Sequence, residues 1–173
     1  MGVGKHAIKL RWRKINGATG YVLYGGPCKG RFQRLGMVTA NRCTVNKLKK
    51  GTYYKFKLVA VKQTGKGLGV EMISKVVHEV TAGGKLGNPR GISFSGKKKI
   101  TLKMGKSIRI NAKPELPAGL KLRVHRRLCF ESSNPAVATV TRKGKIKAVG
   151  RGNATIYVYA QNGICRQVKV RVN

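Results

Sequence analysis

Apolar and basic residues alternate with a period of two over much of the chain. Ile8, Leu10 and Trp12 alternate with Lys9, Arg11 and Arg13. Tyr54, Phe56, Leu58 and Ala60 are spaced by Lys55, Lys57 and Val59, and Val168, Val170 and Val172 by Lys169 and Arg171. Side chains on an extended backbone point to opposite faces in turn, so each stretch predicts a strand with one buried face and one cationic face. Between them lie turn signals: Asn16-Gly17, Gly25-Gly26-Pro27, Gly65 to Gly69, Gly83-Gly84 and Asn162-Gly163. No apolar stripe of helical period runs for three turns. The pattern predicts an all-β chain whose antiparallel sheets pack as immunoglobulin-like β-sandwiches.

The strand pattern lapses at Ala82-Gly83-Gly84-Lys85-Leu86-Gly87-Asn88-Pro89 and then resumes. This places one sandwich at residues 1–83, a Gly/Pro linker at 84–90 and a second sandwich at 91–173, each of ordinary domain size. No apolar run is long enough to span a bilayer, and the N-terminal MGVGKHAIKL lacks the apolar stretch of a signal peptide. The chain is expected to be cytosolic or a piece of a longer exported protein.

Charge adds a partner class to this picture. The 173 residues carry 38 Lys and Arg against four acidic residues, for a formal net charge of +34. The acidic residues are Glu71, Glu79, Glu115 and Glu131, with no Asp. The basic residues are spread through both halves and interleaved with apolar ones, which excludes a disordered basic tail. Such a field attracts polyanions and makes binding salt-dependent.

Particular segments of the first half resemble a fibronectin type III domain. They are Ile8 to Trp12, Asn16 to Tyr24, and Leu48-Lys49-Lys50-Gly51-Thr52-Tyr53-Tyr54-Lys55-Phe56 with its continuation to Val61. The resemblance puts Tyr54 at a tyrosine corner, with Leu48 beneath it and its hydroxyl bonded to upstream backbone. It also implies that a first strand is missing or is supplied by residues 1–5. The second half resembles a group 2 bacterial immunoglobulin-like domain. The residues carrying this are Ile100 to Ser107, Phe130-Glu131-Ser132-Ser133-Asn134-Pro135-Ala136-Val137, and Gly144 to Ile156. Phe130 stands where the family usually has Trp, still as an inward aromatic. The tandem with its closing Tyr157 to Gly163 is similar to cationic C-terminal tandems of Lachnospiraceae and other Clostridia surface proteins. The resemblance implies an exported, non-enzymatic module at the surface of a Gram-positive cell.

Catalytic chemistry is poorly supplied. Two carboxylates of separated roles are hard to find among four Glu, and His125 and Cys129 on one strand would stand about 13 Å apart. No enzyme and no cofactor are expected. The cysteines fall as Cys28 and Cys43, then Cys129 and Cys165, and each pair reads either as an intradomain disulfide or as buried thiols. There is no C-x-x-C, and His6, His78 and His125 are dispersed, so no metal site is predicted. The glycine runs near Gly2 and Gly65 lack P-loop spacing and read as turns.

The basic rows remain as candidate polyanion contacts. Lys121, Arg123, His125 and Arg127 alternate with Leu122 and Val124 as a ladder on one strand, with Arg126 marking a bulge. Arg142, Lys143, Lys145 and Lys147 form a second cluster, Lys9, Arg11 and Arg13 a third, and Lys55 and Lys57 a fourth. A solvated face usually mixes both signs, and like charges across neighbouring strands lower stability, which an anionic partner would offset. The leading expectation is an extracellular adhesion or attachment module on a bacterial cell surface. It would be a monomeric piece of a larger protein, holding an anionic cell-wall polymer such as teichoic acid or an acidic host glycan. Nucleic-acid binding, including a role in a phage particle, is the second expectation, and a passive stalk spacer the third. No membrane insertion is expected.

Overall fold

The computed structural model describes residues 2–173. All regular structure among them is β, and no helix is long and apolar enough to cross a membrane. The chain divides into two compact units. One comprises residues up to 87 together with 119–125, the other 88–118 and 126–173. Residues 119–125, expected in the second sandwich, fall in the first unit.

The first unit contains β1 (Gly2–Val3), β2 (Ile8–Arg11), β3 (Gly20–Pro27), β4 (Gln33–Val38), β5 (Arg42–Val45), β6 (Tyr53–Thr64), β7 (Gly67–Ile73) and β8 (Val77–Val80). One sheet runs β1-β2-β5, and the other runs β4-β3-β6-β7 with β8 also paired to β6. Gly2 and Val3 pair with Lys9 and Ile8, so part of the expected N-terminal segment does supply a short strand; Met1 lies outside the described residues. Alternation works as the sequence predicts. Ile8 and Leu10 point inward from β2, and Tyr54, Phe56, Leu58 and Ala60 point inward from β6, forming one core with Tyr21 and Leu23.

Gly25-Gly26-Pro27 is not the turn that its composition suggests. It continues β3, where Gly25 pairs with Phe56. A Cβ on Gly25 would stand 2.5 Å from the Phe56 ring and 2.8 Å from Leu35, and one on Gly26 would stand 2.7 Å from the Arg31 carbonyl. These glycines are therefore required by close approach, a use of glycine within strands that composition alone does not separate from a turn.

The Tyr54 hydroxyl accepts a hydrogen bond from the Lys49 N–H at 2.9 Å, and Leu48 packs against the core below it. Tyr21 is used similarly, accepting from Ile15 N–H at 3.0 Å. Tyr54→Phe should leave a part-buried N–H without its acceptor, at about 1–3 kcal/mol. Urea unfolding would measure it, and a loss under a few tenths of a kcal/mol would mean that water replaces the bond.

The second unit contains β9 (Gly91–Ser95), β10 (Lys99–Leu102), β11 (Ser107–Arg109), β12 (Asn111–Glu115), β13 (Cys129–Ser132), β14 (Ala138–Val140), β15 (Lys145–Ala148), β16 (Gly152–Tyr159) and β17 (Cys165–Val172). The sheets run β10-β17-β16-β13, β11-β15-β14 and β12-β9. Strand pairing is antiparallel except that β10 lies parallel to β17. Ile146, Ala148, Ile156, Val168, Val170 and Val172 fill the core, with Phe130 packed against it as the inward aromatic. The Asn162-Gly163 turn joins β16 to β17, with Gly163 at φ 84° and its N–H donating to Ala160. Asn162 is buried there, and its side-chain amide donates to the Pro89 carbonyl at 2.8 Å.

Candidate anion-binding groove

Exposed basic residues occupy the outward positions of both units. Lys9 and Arg11 alternate with buried Ile8 and Leu10 on β2, while Lys145 and Lys147 alternate with buried Ile146 and Ala148 on β15. Strand pairing sets several of these cations side by side. Arg11 lies opposite Arg42, Lys99 beside Lys169, and Arg109 opposite Lys145. Directly opposed like charges on one sheet face are destabilising.

A concave cationic surface lies in the second unit. A groove of about 780 Å³ has Phe94, Ala112, Leu128 and Phe130 among its apolar lining, and Arg109, Lys113, Arg127, Arg142 and Lys143 line it as well. Each of these five basic residues is exposed. Arg142 and Lys143 sit in the turn between β14 and β15, which Gly144 closes at φ 74°. Here a side chain is excluded twice, since a Cβ on Gly144 would meet the Ile110 carbonyl at 2.9 Å and Phe130 at 3.0 Å. Arg127 precedes β13, Arg109 ends β11 and Lys113 is central to β12. Guanidinium groups here can present paired donors to a phosphate or sulfate, and the apolar lining lowers the dielectric around the contacts.

The structure thus brings Arg127, Arg142 and Lys143 together, and adds Arg109 and Lys113, which sequence reasoning missed. Those two are single basic residues on short strands, without a run to mark them. Lys145 and Lys147 lie on the outer face of β15, and Lys9 and Arg11 on that of β2. Arg13 is exposed but beyond the end of β2. Lys55 and Lys57 are half-buried rather than freely outward. The Lys55 ammonium stands 4.7 Å from the Phe32 ring centre, and that of Lys57 stands 5.2 Å from both Phe32 and Tyr24. Cation–π attraction holds them over the sheet.

The ladder expected from Lys121 to Arg127 is corrected. Lys121 makes one isolated bridge to Leu86, and no strand covers 122–128. Val124, the apolar member expected to point inward, is 61% exposed. Lys121, Arg123 and His125 belong to the first unit, and Arg127 to the second. His125 is half-buried, its ring 4.6 Å from Tyr53 and 5.3 Å from His78, nearly parallel to the latter. Burial, reinforced by Arg123, pushes the His125 pKa down, so the imidazole is held neutral near pH 7.

Of the two readings of the cysteines, the structure has the thiols: no disulfide joins any of the four. Cys129 pairs with Tyr159, and Tyr159 pairs on its other side with Cys165. The two cysteines are therefore two strands apart, about 9.5 Å, beyond the Cα separation of about 7 Å that a disulfide tolerates. Burial raises the Cys165 thiol pKa, opposed by a hydrogen bond with Tyr159. Cys43 lies on β5 and packs against the core, while Cys28 follows β3 in the other sheet. Its Sγ is 3.3 Å from His78 Nδ1. Burial raises both thiols, for Cys28 against the pull of Lys55 and Arg123.

No curated protein matches the chain. Among solved structures it is similar to titin kinase and its flanking domains, at 14% identity and a TM-score of 0.39 over 98% of this chain and 27% of that one. It is also similar to a C-terminal 282-residue fragment of intimin in complex with the intimin-binding domain of the translocated intimin receptor. There the identity is 12% and the TM-score 0.35, over 96% of this chain and 57% of that one. The chain thus spans about a quarter of the first protein's length and somewhat over half of the second's. A family model does match within the sequence: residues 119–170 are similar to the bacterial Ig-like domain, group 2.

Proposed function

We propose that the chain is a non-enzymatic attachment module of a bacterial cell-surface protein. In this reading the first unit is a fibronectin type III-like sandwich and the second a group 2 bacterial immunoglobulin-like sandwich. Together they hold a linear anionic polymer outside the cell, either the polyol phosphate of wall teichoic acid or a sulfated or sialylated glycan. The observation that carries the reading is the groove lined by Arg109, Lys113, Arg127, Arg142 and Lys143. A concave, partly apolar surface with five exposed cations can hold repeated phosphate or sulfate groups. Opposed cations such as Arg109 and Lys145 give a bound polyanion repulsion to relieve.

Binding to wall teichoic acid, heparin and duplex DNA, each over a salt series, tests the proposal. Teichoic acid or heparin is expected to bind, with log K falling linearly against log salt and a slope of about 0.7–0.9 per ionic contact by analogy with nucleic acids. A flat salt response, or no binding at physiological ionic strength, would leave the spacer role. Tighter binding of duplex DNA than of either other polymer would move the function to nucleic acid. In that case the absence of any helix among the described residues leaves strands and loops to make the contacts.

A further inference from the structure

We propose that Cys28, His78 and His125 form a binding site for a thiophilic divalent metal ion of the zinc class, independent of the anion-binding groove. The three side chains come from distant parts of the sequence, but strand register and one crossing segment bring them together. The Cys28 N–H continues the β3–β6 pairing by donating to the Tyr53 carbonyl, and His78 on β8 pairs with Lys55 on β6. Tyr53 and Lys55 are two apart, so they share a sheet face. Cys28 and His78, opposite them on the two flanking strands, share it too. That face is the reverse of the one on which Tyr54 and Phe56 enter the core.

Residues 119–125 lie against this outer face. Lys121 N–H donates to the Lys85 carbonyl and Gly87 N–H donates to the Lys121 carbonyl, which fixes the segment beside the sheet. His125 is then placed over Tyr53 and beside His78. One ligand atom from each of Cys28, His78 and His125 lies within 4.8 Å of the other two, and all three residues are half-buried.

The spacing suits tetrahedral zinc. Bonds of about 2.3 Å to sulfur and 2.0–2.1 Å to nitrogen put bound S and N about 3.5 Å apart, and two bound N about 3.3 Å apart. The Cys28 Sγ to His78 Nδ1 separation is already 3.3 Å. Side-chain rotation of His125, which would tilt its ring out of the stack on His78, closes the remaining gap. One thiolate and two imidazoles make a borderline-soft set, whereas calcium and magnesium need oxygen ligands. Binding transfers the Cys28 proton to solvent and leaves a metal–thiolate bond, without oxidation or reduction. Lys55 and Arg123 place positive charge near Cys28, so an anion at the open fourth position would offset the charge that one thiolate leaves on the ion.

The ion would connect positions 28, 78 and 125, closing long loops and fixing the 119–125 segment to the first unit. The test uses the full reduced chain. Cobalt(II) should produce a thiolate-to-cobalt charge-transfer band that zinc abolishes, and zinc should raise the Tm. Zinc should also shield Cys28 from alkylation mapped by mass spectrometry, while exposed Cys165 continues to react. Cys28→Ser should eliminate the band. His125→Gln should weaken zinc binding by about 100-fold or more, the upper end of losses seen even for outer partners of a metal ligand. Cys43→Ser should retain both band and shielding. The proposal is overturned if the wild-type chain shows neither band nor Cys28 shielding. It is also overturned if the band survives Cys28→Ser or disappears equally with Cys43→Ser. If a variant fails to fold, shielding in the wild-type chain decides.

Discussion

Phe56→Ala is expected to destabilise the first unit by about 3–5 kcal/mol, a large share of the 5–15 kcal/mol typical of a whole domain. Phe56 is 1% exposed on β6, stacked near Tyr54 at 6.5 Å and opposite Gly25. Truncation removes its apolar burial and leaves a space lined by strand backbone, which cannot collapse without disturbing the ladder. In urea the midpoint should fall with little change in slope. The companion variant is diagnostic. Gly25→Ala alone should destabilise, because its methyl would stand 2.5 Å from the Phe56 ring. In the Phe56→Ala background the same methyl enters vacated space, so the cycle should show coupling of about 0.5–3 kcal/mol. Additive effects would mean that Leu35 or the backbone, rather than the ring, limits the space at Gly25.

The second large effect concerns binding and separates function from stability by sign. Arg109→Glu places a carboxylate opposite Lys145, replacing a like-charge pair by an opposite-charge one on an exposed face. Stability should rise by about 0.2–1 kcal/mol. Polyanion binding should weaken in the same variant. With Arg127→Glu and Arg142→Glu added, the groove loses three of its five cations. If each contributed one ionic contact, affinity at 0.15 M salt should fall by about 100-fold and the salt slope by about 2–3. Reversing Lys9, Arg11 and Arg13 in the first unit supplies the control, with the same change in net charge elsewhere. Equal losses from both triple variants would show that total charge governs binding and that the groove has no special part in it.

Much of the fold was legible because buried positions alternate with more exposed ones on β2 and β15, from Tyr54 to Ala60 of β6, and over the end of β17. The tyrosine corner was legible for a similar reason, since its partner is only five residues away. Residues 121–128 misled because their alternating letters match a strand, yet Val124 is exposed and the run is divided between two units. Periodicity reports a strand only where the apolar members find a common buried face. The groove was half legible: the turn carrying Arg142 and Lys143 is a visible cluster, whereas Arg109 and Lys113 join it through sheet pairing. The convergence of Cys28, His78 and His125 was not legible at all. Ligands separated by about 50 residues have no local spacing to read, and only strand register reveals their common face.

The passage of residues 119–125 into the first unit changes what counts as a transferable piece of this chain. A cut at the Gly-rich stretch near position 84 looks clean by composition, but it would separate the first unit from its own last segment. The Tyr53 hydroxyl would lose the Gly87 carbonyl to which it donates, and the outer face of β6 and β8 would lose His125. The remainder would carry residues 119–125 without the surface they fold against. Recombination or proteolysis at that stretch is therefore expected not to release two intact modules, although the chain has two cores.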